Sequence, residues 1–166
     1  VTAHGIIVYN PDTNAVDWDW SAHGTLGDNE TIDPDKLDYK RVGLAVNFED
    51  WDHDNALIHG VEDNGDQFFW ISMRHQDWIV KLNCQTDKIE WRFGRQGDFQ
   101  LQDENGIPYT DDSWYMYQEH TPEWESHGGG KYDFLVYDNG ESRMDADGLY
   151  TGVKYTRLLE FQLDEN

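Results

Sequence analysis

Basic residues are scarce in this sequence: 12 Lys and Arg stand against 34 Asp and Glu over 166 residues, a formal net charge of −22. The acidic residues are interspersed along the chain and do not form a tail. A field of this sign repels nucleic acids and anionic membranes, so we expect no nucleic-acid partner. Such lysine-poor acidity is typical of proteins kept soluble in high salt, and it suggests a halophilic source.

Cysteine is nearly lacking as well. Cys84 is the single cysteine, which excludes an internal disulfide and any metal site built from several cysteines. The sequence has no run of 18 apolar residues, so it predicts no membrane span. High charge alone would favour disorder, but eight Trp, nine Tyr and seven Phe must be buried somewhere, which predicts a folded chain.

Long helical periodicity is absent, and β-strand patterns prevail. Short apolar runs, often alternating, lie between turn residues such as those of D-N-G-D at 63–66. The predicted strands are 5–9, 15–20, 56–59, 68–73, 78–82, 89–93, 132–137 and 155–163.

An internal repeat indicates the architecture. Residues 7–20 read I-V-Y-N-P-D-T-N-A-V-D-W-D-W and residues 80–93 read V-K-L-N-C-Q-T-D-K-I-E-W-R-F, so that residue 80 aligns with residue 7 at a constant offset of 73. Asn10 thereby matches Asn83, and Trp18 matches Trp91. A third copy begins with L-E-F-Q-L-D at 159–164. Repeated antiparallel units of several strands are typical of a β-propeller.

We therefore predict an all-β fold, a partial β-propeller of about two to two-and-a-half blades. One domain spans residues 1–166, with repeat units at about 5–47, 48–117 and 118–166. Two blades cannot close a ring and would leave sheet edges exposed. We therefore expect the remaining blades, from the same or another chain, as partners.

The later repeats carry the same succession of motifs. A histidine opens each blade, in D-W-D-H-D-N at 50–55 and in Y-Q-E-H-T-P at 117–122. A β-run ending in polar residues follows, W-I-S-M-R-H-Q-D at 70–77 and F-L-V-Y-D-N-G at 134–140. Because the innermost strands of a propeller line its channel, we expect His53 and His120 to face each other there.

In this order D-W-x-H-x-N, I-S-x-R-x-Q-D, K-L-N-x-x-T-x-x-I-x-W-R-F-G, Q-x-H-T and Y-D-N-G resemble the arylsulfate sulfotransferases, over roughly residues 48–164. The resemblance implies a six-bladed propeller that transfers a sulfuryl group from an aryl sulfate ester to a phenol, without cofactor or nucleotide sulfate. The sequence indeed has no G-x-x-x-x-G-K-[ST] loop for a nucleotide phosphate. The family also implies a secreted protein, periplasmic or extracellular.

Carried over by motif, the resemblance makes His120 the catalytic nucleophile, which becomes transiently sulfurylated. It makes His53 and Arg74 catalytic groups around the sulfuryl group, and Asn55 a substrate-binding group. These residue types suit the chemistry, because a neutral imidazole is a competent nucleophile and a guanidinium holds anionic oxygens through two parallel hydrogen bonds. A second histidine can stabilise charge or protonate the leaving phenolate.

Three departures limit the match. The family's further active-site histidine would precede Val1, other substrate contacts would follow Asn166, and the expected D-N-G-x-x-R-G reads D-N-G-E-S-R-M at 138–144. The chain alone is therefore expected to hold part of the site, and a lone fragment need not be active. The alternative is a non-catalytic propeller that acts as a binding or assembly module, including one in an extracellular structure.

A metal site at His53 is the chemical rival. Asp52, Asp54 and His59 would supply further ligands. Successive strand residues point to opposite faces, so both aspartates should face away from His53, and we expect no metal.

The acidic surface generates a first prediction. In molar KCl the mutual repulsion of the carboxylates is screened, so the melting temperature of the protein should rise relative to low salt. Thermal unfolding followed by circular dichroism in 0.1 M and molar KCl measures this. A melting temperature that stays constant or falls would exclude salt adaptation.

Overall fold

A computed structural model describes residues 5–21, 53–141, 143, 152 and 154–166. Within these ranges the chain forms nine strands and one short 3-10 helix, Asp112–Trp114. No helix in these ranges is long and apolar enough to cross a membrane. The strands are β1 (Gly5–Asn10), β2 (Ala15–Ser21), β3 (Asp54–Val61), β4 (Gln67–Met73), β5 (Trp78–Asn83), β6 (Lys88–Gly94), β7 (His120–Gly128), β8 (Lys131–Asp138) and β9 (Arg157–Asp164).

The strands pair in chain order into three sheets, β1–β2, β3–β4–β5–β6 and β7–β8–β9. All pairs are antiparallel. The four-stranded sheet has the form of one complete propeller blade, because each strand pairs with the next one along the chain. The predicted all-β fold with partial propeller architecture is confirmed, whereas the count of six blades and the bounds of the repeat units stay predictions.

The sequence repeat is also a repeat of register. In the β1–β2 hairpin Val8 pairs with Trp18, and in the β5–β6 hairpin Lys81 pairs with Trp91. Each hairpin then shifts register directly after the first residue of that pair. The offset of 73 residues thus relates strands, turns and even the β-bulge of the two copies.

The central sheet is buried on both faces, which explains why β4 and β5 read as nearly continuous apolar runs. Ile71 and Met73 of β4 face the first sheet, where they pack near Trp20. Trp70 faces the third sheet, with its ring centroid 4.8 Å from that of Phe134. Alternation along one strand thereby joins three consecutive sheets.

Strand β7 is missing from the predicted strands. Its segment contains Pro122 and the charged Glu123 and Glu125, residues that disfavour strand formation in the sequence pattern. In the structure β7 pairs with β8 alone among the described strands, and an edge strand tolerates proline because one row of its backbone groups needs no sheet partner. The pairing is also irregular between His120 and Glu123.

A buried lysine joins the second and third sheets. Lys81 of β5 is 3 % exposed, and its Nζ lies 2.5 Å from Glu62, 2.8 Å from Glu165 and 3.1 Å from Glu90. Its ammonium also lies 5.2 Å from the centroid of the Phe68 ring. Burial alone would lower the pKa of Lys81, but the hydrogen bonds to Glu165 and Glu62 outweigh it and raise the pKa above its ordinary value.

Replacing Lys81 tests whether it stabilises the contact between the second and third sheets. Lys81→Met keeps the apolar stem but leaves three carboxylates crowded without a cation, so the free energy of unfolding should fall by about 3 kcal/mol. Urea unfolding measures the change. The control is Lys131→Met, whose exposed ion pair with Asp164 (3.0 Å) should contribute no more than about 1 kcal/mol. Equal effects of the two substitutions would contradict the structural role of Lys81.

Candidate active site

The four predicted site residues converge where the second and third sheets meet. Strands β3 and β7, the first strands of these sheets, contact each other. His53 directly precedes β3, Asn55 lies near its start, Arg74 directly follows β4, and His120 opens β7. Because Asp54 pairs with Met73, the start of β3 and the end of β4 lie at the same edge of the sheet.

The backbone at His53 departs from a regular strand. His53 has a φ of 47°, in the left-handed region, and the pairing of β3 with β4 shifts register between Asp54 and Ala56. The strand alternation predicted to turn the neighbouring aspartates away from His53 therefore does not extend to this residue. Asp52 lies outside the described residues.

The imidazole of His53 lies against that of His75, with ring centroids 4.6 Å apart. The sequence offered no motif for His75, yet it is half-buried beside a predicted site residue. His59, the suggested further metal ligand, is exposed on β3 and bonds to Gln67 at 3.1 Å. Among the described residues, no group of three or more His, Cys, Asp or Glu is arranged to hold a metal ion.

Arg74 brings a positive charge to this edge. Its Nη2 lies 3.4 Å from Glu141 Oε2, and its Nε is buried without a hydrogen-bond partner within the described part of the chain. Within the described ranges the guanidinium thus has one long ion pair and one N–H group without a partner. A planar donor of this kind suits the oxygens of a sulfate or phosphate ester.

The surroundings of His120 favour its neutral form. Burial lowers the pKa of His120, and the neighbouring Arg74 and His53 lower it further. Arg74 and His53 therefore lie close enough to His120 to act on it electrostatically. A neutral imidazole with a free electron pair on one ring nitrogen is the form that can act as a nucleophile.

The backbone leading to His120 is held by side chains from other segments. The N–H of Gln118 donates to Asp77 Oδ1 at 2.7 Å, and its carbonyl accepts a hydrogen bond from Asn139 Nδ2 at 2.7 Å. The carbonyl of Glu119 accepts from Asn55 Nδ2, also at 2.7 Å. Gln118 has a φ of 53°, so this turn lacks the regular pairing of a strand. We name residues 117–120, with these partners, the cradle of His120.

Asp138 also holds the cradle, through hydrogen bonds to its backbone. It is fully buried at the end of β8, and its Oδ1 accepts hydrogen bonds from the N–H groups of Tyr117 (2.9 Å) and Gly140 (2.8 Å). Its Oδ2 lies 2.7 Å from both Arg143 and Arg157. Two guanidinium groups compensate this buried carboxylate, so the turn before β7 is held by a charge-assisted network.

Sequence reasoning left several of these residues without a role. Asp77 ends the motif I-S-x-R-x-Q-D, and Asp138 and Asn139 belong to Y-D-N-G. Their signal was available, because they are fixed letters of motifs that contain or flank the predicted site residues. The altered end of the D-N-G-x-x-R-G pattern still retains Arg143, the residue that pairs with Asp138.

A cleft of about 500 Å³ opens beside His120. Leu135, Tyr137 and Leu158 give it apolar walls, and Asn139 lines it as well. Thr121, next to the histidine, has a φ of 45°, which is rare for a β-branched residue and marks local strain. A mixed cleft of this size accommodates a small organic molecule.

Together these features define a β-propeller with a histidine–arginine site at the junction of two blades. The chain matches the family model described as Arylsulfotransferase (ASST) over residues 2–166, and it belongs to this family. The resemblance inferred from the motifs is thereby confirmed.

A curated relative, the arylsulfate sulfotransferase AssT of Lelliottia amnigena, is 24% identical over 157 residues. The match covers 84% of this chain and 25% of that protein, so the chain spans about a quarter of the length of its relative. No solved structure gives a significant match.

The electrostatic coupling at the site can be measured directly. Arg74→Gln removes a positive charge that disfavours the imidazolium, so the pKa of His120 should rise while staying below its ordinary value because burial remains. NMR titration of histidine side chains measures it. The control is Arg92→Gln, which removes a positive charge on β6 that is paired with Asp98. A His120 pKa that falls or stays constant in Arg74→Gln would contradict the geometry.

Proposed function

We propose that the protein is an aryl-sulfate sulfotransferase that works through a sulfo-histidine intermediate on His120, without a nucleotide sulfate. The observation that carries this proposal is a histidine with a lowered pKa, next to a hydrogen-bonded turn and beside a guanidinium and a second histidine. Membership of the arylsulfotransferase family supports the choice of reaction. The substrates are an aryl sulfate donor and a phenolic acceptor.

In the first half-reaction a ring nitrogen of His120 attacks the sulfur atom of the ester. The nitrogen–sulfur bond forms, the bond from sulfur to the aryl oxygen breaks, and the electron pair leaves with the phenolate. His53 donates a proton to this oxygen. In the second half-reaction His53 takes a proton from the acceptor phenol, whose oxygen attacks the sulfur and releases the imidazole. General acid–base catalysis of this kind contributes about 10²–10⁴-fold.

Arg74 binds the sulfuryl oxygens in this mechanism. Their charge redistributes as the group passes between oxygen and nitrogen, and a fixed donor aimed at it contributes about 3–4 kcal/mol. The bond to Glu141 is long at 3.4 Å, so the incoming anion competes with a weak partner. In a chain with net charge −22, Arg74 supplies a positive charge at this site for an anionic ester.

Asn55 has two tasks in this proposal. One Nδ2 hydrogen holds the carbonyl of Glu119 and so positions the next residue, His120. The other Nδ2 hydrogen is directed to a sulfuryl oxygen, which gives Asn55 its substrate-binding role. Both tasks need the amide, so an aliphatic residue of similar size would lose them together.

The complete ring belongs to the proposal as well. A chain that spans a quarter of its relative requires further blades to enclose the channel and supply the remaining substrate contacts. We propose a periplasmic or extracellular location, where aryl sulfates are met outside the cytoplasm. A non-catalytic propeller that binds a partner without turnover is the competing outcome of the following test.

Substituting the nucleophile distinguishes these outcomes. With 4-nitrophenyl sulfate and a phenol acceptor, His120→Ala in the full-length protein should lower nitrophenolate release by at least about 10³-fold, as for loss of other covalent nucleophiles. His127→Ala is the matched control, because His127 lies on the same strand, is 45% exposed and pairs with Asp133.

The parent protein quenched during turnover should carry one added SO₃ group on the peptide containing His120, detected by mass spectrometry. Equal activity of parent and His120→Ala, or no release by the parent, would refute the proposed function. Stable ligand binding without any release would instead establish the non-catalytic module.

A further inference from the structure

Glu119 lies directly before the proposed nucleophile and is completely buried. Its Oε1 accepts a hydrogen bond from Ser72 Oγ at 3.0 Å, across the junction from β4 to the start of β7. Its carbonyl accepts from Asn55 on β3. Its Oε2 is buried and has no hydrogen-bond partner among the described residues. One residue thus contacts two strands of the neighbouring sheet.

The charges around Glu119 oppose its ionisation. Burial raises the pKa of Glu119 well above its ordinary value, and the carboxylates of Asp77 and Asp138 raise it further. Asp138 is itself compensated by Arg143 and Arg157, so its repulsion is the smaller one. Burial and these carboxylates thus favour the uncharged carboxylic acid of Glu119 over its carboxylate.

Among the described residues, those of the candidate site also lie next to Glu119. His120 follows Glu119 in the chain, and Arg74 and His53 act electrostatically on His120. An ionised carboxyl next to this cluster would favour the imidazolium form of His120, which is not nucleophilic. An uncharged Glu119 thus favours the neutral form of His120 that the proposed reaction needs.

We propose that Glu119 is a positioning residue, which fixes His120 against Ser72 and Asn55 of the neighbouring blade. This inference rests on the proposed function of His120. The side chain does not touch the substrate; it sets the place and the charge state of the group that does. A shift of about 1 Å in a reacting group costs about 10²-fold in rate, so positioning of this kind is measurable.

The test compares Glu119→Gln and Glu119→Ala with the parent in the full-length protein. Glutamine keeps an oxygen for Ser72 Oγ and is permanently uncharged, so Glu119→Gln should react within about threefold of the parent at pH 7. Glu119→Ala should lose about 10²-fold in kcat with little change in KM. Ser72→Ala, which removes only the hydroxyl donor, should fall between them and serves if Glu119→Ala does not fold. Glu125→Gln, an exposed carboxyl on β7, is the control.

The pH profile separates positioning from mere packing. The rate of the nitrophenolate burst should fall in the parent at alkaline pH, where Glu119 ionises, and this fall should be absent in Glu119→Gln. Equal damage in Glu119→Gln and Glu119→Ala would overturn the proposal, since the negative charge would then be needed. Parent-like kinetics in both variants would overturn it as well.

Two readouts do not depend on turnover. The folded protein keeps the proton of Glu119 to a higher pH than the unfolded chain does, so the free energy of unfolding falls as pH rises above the ordinary pKa of a glutamate. Glu119→Gln lacks this proton. The difference between its urea midpoint and that of the parent should therefore increase in favour of Glu119→Gln between pH 5 and pH 8, whereas Glu125→Gln should show no such increase. In NMR titrations, Glu119→Ala should move the pKa of His120 and Glu119→Gln should not.

These readouts keep the two proposals distinct. If the parent shows no sulfuryl transfer, the proposed function fails. The urea midpoint of Glu119→Gln and the NMR titration of His120 still test whether Glu119 positions His120. A midpoint difference that does not widen with pH, or a His120 pKa equal in the parent and Glu119→Ala, overturns the role of Glu119.

Discussion

The active site depends on one constraint, which is that buried backbone N–H and C=O groups must be hydrogen-bonded. The turn before β7 has no regular sheet partner, yet it passes between two sheets and carries His120. Side chains form the hydrogen bonds that a neighbouring strand would otherwise form. Asp138 and Asp77 accept from N–H groups, and Asn139 and Asn55 donate to carbonyls. The position of the proposed nucleophile follows from these hydrogen bonds to the backbone before it.

The same constraint explains why the site lies at a junction between blades. A four-stranded sheet satisfies its own backbone, so its inner residues need no foreign side chain. The irregular connection before β7 leaves polar groups open, and it is there that motif residues from β3, β4 and β8 meet. Arg74 adds a cation to this place in a strongly acidic chain. The geometry of the candidate site and part of the contact between the two sheets thus depend on one set of hydrogen bonds.

Much of this architecture is accessible from the sequence, because a repeat reports register. The offset between residues 7–20 and 80–93 predicts two equivalent hairpins, and the structure reproduces even the shared bulge after Val8 and Lys81. The grouping of His53, Asn55, Arg74 and His120 was implied by the resemblance of their motifs to the arylsulfate sulfotransferases. Strand β7 was missed because edge strands need little apolar alternation, and the left-handed backbone of His53 was missed because alternation presumes an extended chain. Neither property leaves a local pattern.

The carboxyl groups of the cradle show why composition alone could not predict the chemistry. Asp138 and Glu119 are both fully buried, and a sequence presents both as members of one acidic excess. Asp138 meets two guanidinium groups, whereas Glu119 meets a hydroxyl and further carboxyls, and burial together with those carboxyls raises the pKa of Glu119. Asp138 thus anchors the backbone through ion pairs, while the surroundings of Glu119 favour an uncharged acid beside His120. In the proposed function, this difference between two acids helps a protein of net charge −22 to keep the imidazole of His120 neutral beside a site for an anion.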